Sequence, residues 1–161
     1  MTTAGKTTTA STDVEYVVEA SYEWSVPSKI TFRADTAEVV ADSEVGDTQK
    51  VKVTQNIIPN NKKLKITVDS TTTKNVEGKA KFAIKTGEDA YLVYAIKKGT
   101  GYTEEIPLKG EVMSVESGKK TADTPLKFFL TKDTANGAGE DVSEKAGTYT
   151  GVAVFTAQLV D

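Results

Sequence analysis

The chain has no cysteine and no histidine. Without cysteine there is no disulfide and no thiolate zinc site, and without histidine the usual general base near neutral pH and the commonest metal ligand are missing. Most hydrolase and transferase chemistries are thereby excluded, leaving carboxylate or lysine chemistry. Charge of a single sign is lacking as well. The 20 basic and 23 acidic residues are interspersed and leave a net charge of −3, which creates no field to gather nucleic acid or an anionic membrane. Long apolar runs are missing too: none approaches the ~20 residues that span a bilayer, and the first 13 residues hold no segment like a secretory signal. The chain reads as soluble, with no membrane insertion and no cofactor expected. Either a signal peptide has been removed and a start methionine supplied, or the protein is made and used without Sec-type export.

What is present is β-pattern. At 161 residues and 38% hydrophobic the chain can bury one core, and no shift in composition marks a second domain. The expected organisation is a flexible threonine-rich leader over residues 1–12 and a β-sandwich over 13–161. The organising stretch is residues 14–26, where Val14, Tyr16, Val18, Ala20, Tyr22, Trp24 and Val26 hold the even positions and every odd position except Val17 is polar. A period of two sustained this long predicts a strand with one buried face. At about 3.3 Å per residue it would reach roughly 43 Å, against about 17–20 Å for ordinary strands. Either it bends and changes sheets near residues 21–25, giving two strands of one domain, or its first half leaves the domain and pairs with something else.

Turn signals and β-rich runs then alternate with no helical periodicity. Strands are predicted over 29–33 with Ile30 and Phe32 inward, over 49–54, and over 64–68 with Leu64, Ile66 and Val68 on one face, the last two joined as a hairpin through the turn at 59–62. Residues 37–41 read as a strand or one helical turn, 42–47 as a loop, and 70–75 as a polar connection. Two further strands are predicted over 79–85, with Ala80, Phe82 and Ile84 inward, and over 90–97, apolar on both faces and thus central. Residues 106–108 read as an edge, Val112, Met113 and Val115 as a short strand, 126–130 as another, and 132–145 as a long mobile loop. The chain closes with a second long ribbon over 148–160, in which Tyr149, Gly151, Ala153, Phe155, Ala157 and Leu159 share a face. About nine or ten such strands indicate an all-β fold, a single antiparallel β-sandwich, Ig-like or pilin-like, with long first and last strands. Trp24, Tyr149, Ala153, Phe155, Ala157 and Leu159 are its expected core or groove lining.

The opening run of residues 20–32 and the closing run of residues 146–157 resemble the first and last strands of small all-β surface modules of exported Gram-positive bacterial proteins. The ending, a Gly-x-Tyr-x-Gly turn entering an alternating strand, is also similar to that of donor-strand pilins, whose N-terminal extension completes a neighbour's sheet. The resemblance covers roughly the first 30 and last 15 residues. It implies a non-enzymatic structural protein on the cell surface or secreted, a fibre subunit or homopolymer with itself as partner. An overlong one-sided ribbon beside a flexible leader suits the same role on physical grounds, with Val14, Tyr16, Val18 and Ala20 as inserted side chains. Two departures matter. The last strand has no Asn for an intramolecular Lys–Asn isopeptide bond, and no Leu-Pro-x-Thr-Gly sorting signal is present.

Other constellations read as structural. Asp133, Glu140 and Asp141 lack the dense alternation of an EF-hand-like calcium loop. Glu104 and Glu105, as neighbours, point apart rather than forming a catalytic pair. Lys62, Lys63, Lys65, Lys79, Lys81 and Lys85 read as a wet face guarding against edge aggregation. The alternatives to a surface subunit are a virion decoration or tail protein and a carbohydrate-binding adhesion module, the latter with Trp24 or Tyr102 on an exposed platform and a host or cell-surface ligand.

Overall fold

A computed structural model describes residues 7–32, 38–41, 50–86, 90–118, 121–130 and 147–161, with side chains at 38–41 and 55 excepted. In chain order the strands are β1 (Ser21–Ser25), β2 (Glu38–Ala41), β3 (Val51–Ile57), β4 (Lys63–Ser70), β5 (Thr73–Val76), β6 (Lys79–Lys85), β7 (Tyr91–Lys98), β8 (Glu104–Glu105), β9 (Gly110–Glu116), β10 (Ala122–Thr124), β11 (Leu126–Leu130) and β12 (Ala153–Val160). They form a three-stranded sheet β1-β3-β10, a six-stranded sheet β2-β11-β7-β6-β5 in which β8 caps the end of β7, and a three-stranded sheet β12-β4-β9. Every pairing is antiparallel, and the fold is the all-β, sandwich-like one that the periodicity implies.

The alternation in sequence becomes burial where a strand has one wet face. In β4, Leu64, Ile66 and Val68 are buried while Lys63 is exposed and Lys65 and Thr67 are half-buried on the opposite face. These side chains meet Val51 and Val53 of β3, Tyr94 and Ile96 of β7, Val112 and Val115 of β9, and Leu126 and Phe128 of β11 in one core. Burying each such aliphatic side chain contributes about 1.5–3 kcal/mol. The run from Leu92 to Ile96 is buried throughout, because β7 lies between β6 and β11.

Several sequence expectations change. The strand expected over 14–26 is limited to β1, and 29–32 is not a strand, although Ile30 and Phe32 still pack against the core. The hairpin expected between β3 and β4 does not form: β1 and β10 occupy the two edges of β3, while β12 and β9 occupy those of β4. The turn closed by Lys62 N–H donating to Pro59 O (2.9 Å) carries the chain between sheets. The polar connection expected at 70–75 is instead largely strand: the end of β4 at Ser70 and then β5, which pairs with β6 through a tight turn at Glu77 (φ 52°) and Gly78 (φ 81°), the left-handed pair a two-residue hairpin needs. In β6 the buried neighbours are Phe82 and Ala83, and Ala80 is exposed. Ala80 lies out towards that hairpin turn, whereas Ala83 sits opposite Val93 of central β7, and Gly151 approaches so closely that any Cβ there would stand 2.8 Å from the Ala83 carbonyl oxygen. The edge expected at 106–108 is instead β8, and Ile106 is buried with its N–H donating to Ile96 O (2.8 Å). The loop readings at 42–47 and 132–145 lie outside the described residues.

Candidate assembly interface

Two features of the molecule bear on function, an exposed segment ahead of β1 and a groove on the β body. Residues 7–20 have no strand pairing and are exposed throughout, so the exposed stretch runs to Ala20 rather than ending at residue 12. Val14 is 92% exposed, Tyr16 90% and Val18 56%, and Ala20 is exposed with them. The cause is local. In β1 the register places Ser21 opposite Ile57, the last residue of β3; beyond it Ile58 turns into the core, so Ala20 meets no further backbone. Of the two outcomes open for residues 14–26, the one with both halves as strands of the same domain is therefore not the one the chain adopts. The segment carries Asp13, Glu15 and Glu19 and no basic residue.

β1 itself is anchored. Tyr22 and Trp24 pack against the core at a register shift between Glu23 and Trp24. Trp24 is half-buried there rather than standing on an open platform, and Tyr102, also half-buried, sits in the short 3-10 turn Thr100–Tyr102 with φ 54°.

The second feature is a groove of about 700 Å³. Its floor is Ile84 of β6, Leu92 and Tyr94 of β7, and Phe128 and Leu130 of β11; one wall is residues 27–32 and the other is residues 147–153 with Phe155. Aromatic rings stiffen the floor, with the Tyr94 centroid 5.5 Å from Phe82, 6.0 Å from Phe32 and 6.3 Å from Phe128. Burial pushes the Tyr94 hydroxyl pKa up from its ordinary value, and the Ser70 hydroxyl beside it offsets this only in part.

β12 forms the rim. It pairs with β4 over its whole length, from Ala153 opposite Ser70 to Val160 opposite Lys63. Ahead of it, Val152 O accepts from Thr71 N–H (3.0 Å) and Thr150 exchanges two backbone hydrogen bonds with Lys85 (both 2.9 Å), so the regular final strand is shorter than 148–160. Ala153, Phe155, Ala157 and Leu159 are half-buried against the core, and Tyr149, also half-buried, lines the groove. Among the described residues no strand pairs with the other edge of β12, and Val152 and Val154 are exposed beside it.

The remaining titratable groups do not converge. Glu105 faces Lys81 (3.8 Å), Lys50 faces Asp123 (3.1 Å), and Lys98 Nζ donates to the Glu111 and Val112 carbonyls (3.1 and 3.0 Å). Lys62 Nζ holds Asp161 at 2.7 Å and lowers its carboxyl pKa, first by that hydrogen bond and then by charge. Among the described residues no three acids cluster, no charged side chain is buried, and no helix is long and apolar enough to cross a membrane. Asp133, Glu140 and Asp141 lie outside the described residues. Tyr149, Ala153 and Phe155, expected as core or groove lining, stand in one wall of the groove; the other wall, residues 27–32, was missed because it is irregular backbone. A further signal for the first wall was glycine at 147 and 151 around Tyr149, spacing that lets the chain lie flat on β6. No family model, curated protein or solved structure matches this chain.

Proposed function

We propose that this protein is a non-enzymatic structural subunit, a bacterial surface or fibre protein, that associates with copies of itself through residues 14–20. The observation that carries this reading is the alternating apolar face of Val14, Tyr16 and Val18 standing in solvent next to a packed β body. An extended segment of this kind gains main-chain hydrogen bonds and buries alternate side chains when it joins an open sheet edge. Contiguous apolar exposure of this sort marks an interaction surface rather than a surface evolved to stay wet. The absence of histidine and cysteine and the dispersal of the carboxylates argue in the same direction, and the resemblance of the chain ends to exported surface modules supports an extracellular setting.

Sedimentation velocity across a concentration series, with electron microscopy of the concentrated protein, tests this. Growth in size that is lost in a Tyr16→Asp/Val18→Asp variant of unchanged circular dichroism is the expected result. A monomer at every concentration overturns the reading.

A further inference from the structure

We infer that the outer face of the six-stranded sheet is a docking surface for a linear acidic polysaccharide, a chain with a carboxylate or sulfate on successive sugar units. This goes beyond the self-association reading and does not depend on it.

Lysines that are scattered in sequence and gather round no pocket share one side of this sheet, and the strand register puts them there. Lys85 lies opposite Tyr91 and Ala83 opposite Val93, so the odd residues of β6 and β7 point the same way, away from Phe82, Tyr94 and Ile96 in the core. Lys74 of β5 is opposite Lys81, Val76 is opposite Lys79, and Lys127 of β11 is opposite Lys97. Glu105 of β8, opposite Lys97 and 3.8 Å from Lys81, is the one acid on this face among the strand residues whose side chains are described. Lys79 and Lys85 are exposed, and Lys74, Lys81 and Lys97 are half-buried.

The other two sheets arrange charge differently. In β12-β4-β9, Lys63 lies opposite Glu116, and in β1-β3-β10, Lys52 lies opposite Asp123. Here lysine faces lysine twice, across β5 and β6 and again across β7 and β11. Like charges directly opposite one another destabilise a sheet. A partner with regularly spaced negative charge turns the same rows into an attraction.

The chemistry of the face selects a polysaccharide. Lys74 Nζ stands 4.9 Å from the Tyr91 ring centroid and Lys97 Nζ 4.7 Å from that of Phe129, so ammonium groups occupy ring faces on which unpaired bases would stack. Among the described strand residues the face has no arginine to fork onto phosphate. Its apolar residues Ala83, Val93 and Ala95 are buried, which leaves no anchor for a lipid layer. What it offers is point charges on long flexible stems, rooted about 6.8 Å apart along a strand and about 4.8 Å apart between strands. An acidic sugar chain lying across the strands meets one such charge after another and needs no pocket.

Binding of the full-length protein to immobilised dextran sulfate, with unmodified dextran as the uncharged reference, tests this. The expected result is binding to the sulfated chain alone, lost as NaCl rises from about 0.05 M to about 0.5 M. Lys74→Gln/Lys81→Gln should weaken it about tenfold, as for two surface ion pairs. Lys79→Gln/Lys85→Gln, at two exposed positions, should weaken it as well and serves if the first pair disturbs folding. Lys63→Gln/Lys65→Gln on β4 makes the same change in net charge and should leave binding within about twofold of the parent. Equal loss from the β4 pair overturns the inference, because net charge alone would then set the binding. No binding at low salt overturns it too. Tighter binding of double-stranded DNA or of phosphatidylglycerol vesicles, lost in the same face variants, overturns the choice of polysaccharide. A protein that sediments as a monomer and still binds dextran sulfate through these lysines keeps this inference and loses the self-association reading.

Discussion

Residues 14–26 and 148–160 are the same kind of ribbon in sequence, yet one half of the first stands in solvent while the second is stitched along β4 for eight residues. The difference lies in their neighbours. β12 meets a strand whose own alternation is in step with it, so that Leu159 lies opposite Leu64, Ala157 opposite Ile66 and Phe155 opposite Val68, all facing the core. β1 meets β3, which ends at Ile57. Alternating side chains make a strand available for pairing; only an open backbone edge of matching length makes it a strand.

This contrast can be broken most forcefully by placing the same charge in each ribbon. Ala157→Asp, on the core side of β12, should cost about 2–4 kcal/mol in urea unfolding, because the carboxylate is pressed against Ile66 with no partner. Val18→Asp should leave the unfolding of the dilute monomer within about 0.5 kcal/mol of the parent. Equal losses would mean that residues 14–20 are packed after all. Next in size, Gly151→Val should destabilise by about 1–3 kcal/mol, since its Cβ would sit 2.8 Å from the Ala83 carbonyl oxygen and the backbone of β6 would have to yield. A variant as stable as the parent would show that the approach to β12 is as loosely held as the head.

A smaller effect comes from Tyr94 under the groove. Its pKa is raised above the ordinary 10.0 in the folded protein, so the stability it contributes is complete below pH 10 and is lost as pH rises towards and through the folded value, where the unfolded chain ionises first. Denaturant midpoints should therefore fall in alkali, and Tyr94→Phe should flatten that fall. Smallest of all is the tether at the end of β12. Asp161 is fully exposed, so Lys62→Ala should return its carboxyl pKa upward to the ordinary range, visible by NMR titration, with scarcely any change in stability.

The strands that were legible in advance are those with a strong local pattern. Leu64, Ile66 and Val68 alternate with polar residues and bury as expected, Lys79–Lys85 has the predicted bounds, and the double-sided apolar run in β7 does mark the centre of its sheet. Where local pattern misled, a tertiary contact intervened. Ala83 is buried opposite Val93 of central β7, with Gly151 from the approach to β12 lying against its carbonyl, and Ile30 and Phe32 keep their inward direction without a ladder, as the wall of a groove. Val14, Tyr16, Val18 and Ala20 stand out in the sequence, as do Tyr149, Ala153 and Phe155 of one groove wall, whereas the rest of the groove is assembled from residues scattered between Pro27 and Leu130.

By itself the amino-acid sequence determined that this chain would be all-β, with no thiol or imidazole chemistry and two ribbons whose apolar faces needed cover, because side-chain direction along an extended backbone follows a period of two whatever the surroundings. Which ribbon found cover was decided only in three dimensions. β3 stops at Ile57 and β4 does not stop short of Lys63, so hydrogen-bonding edges ran out beside the head of the molecule and were available for its tail.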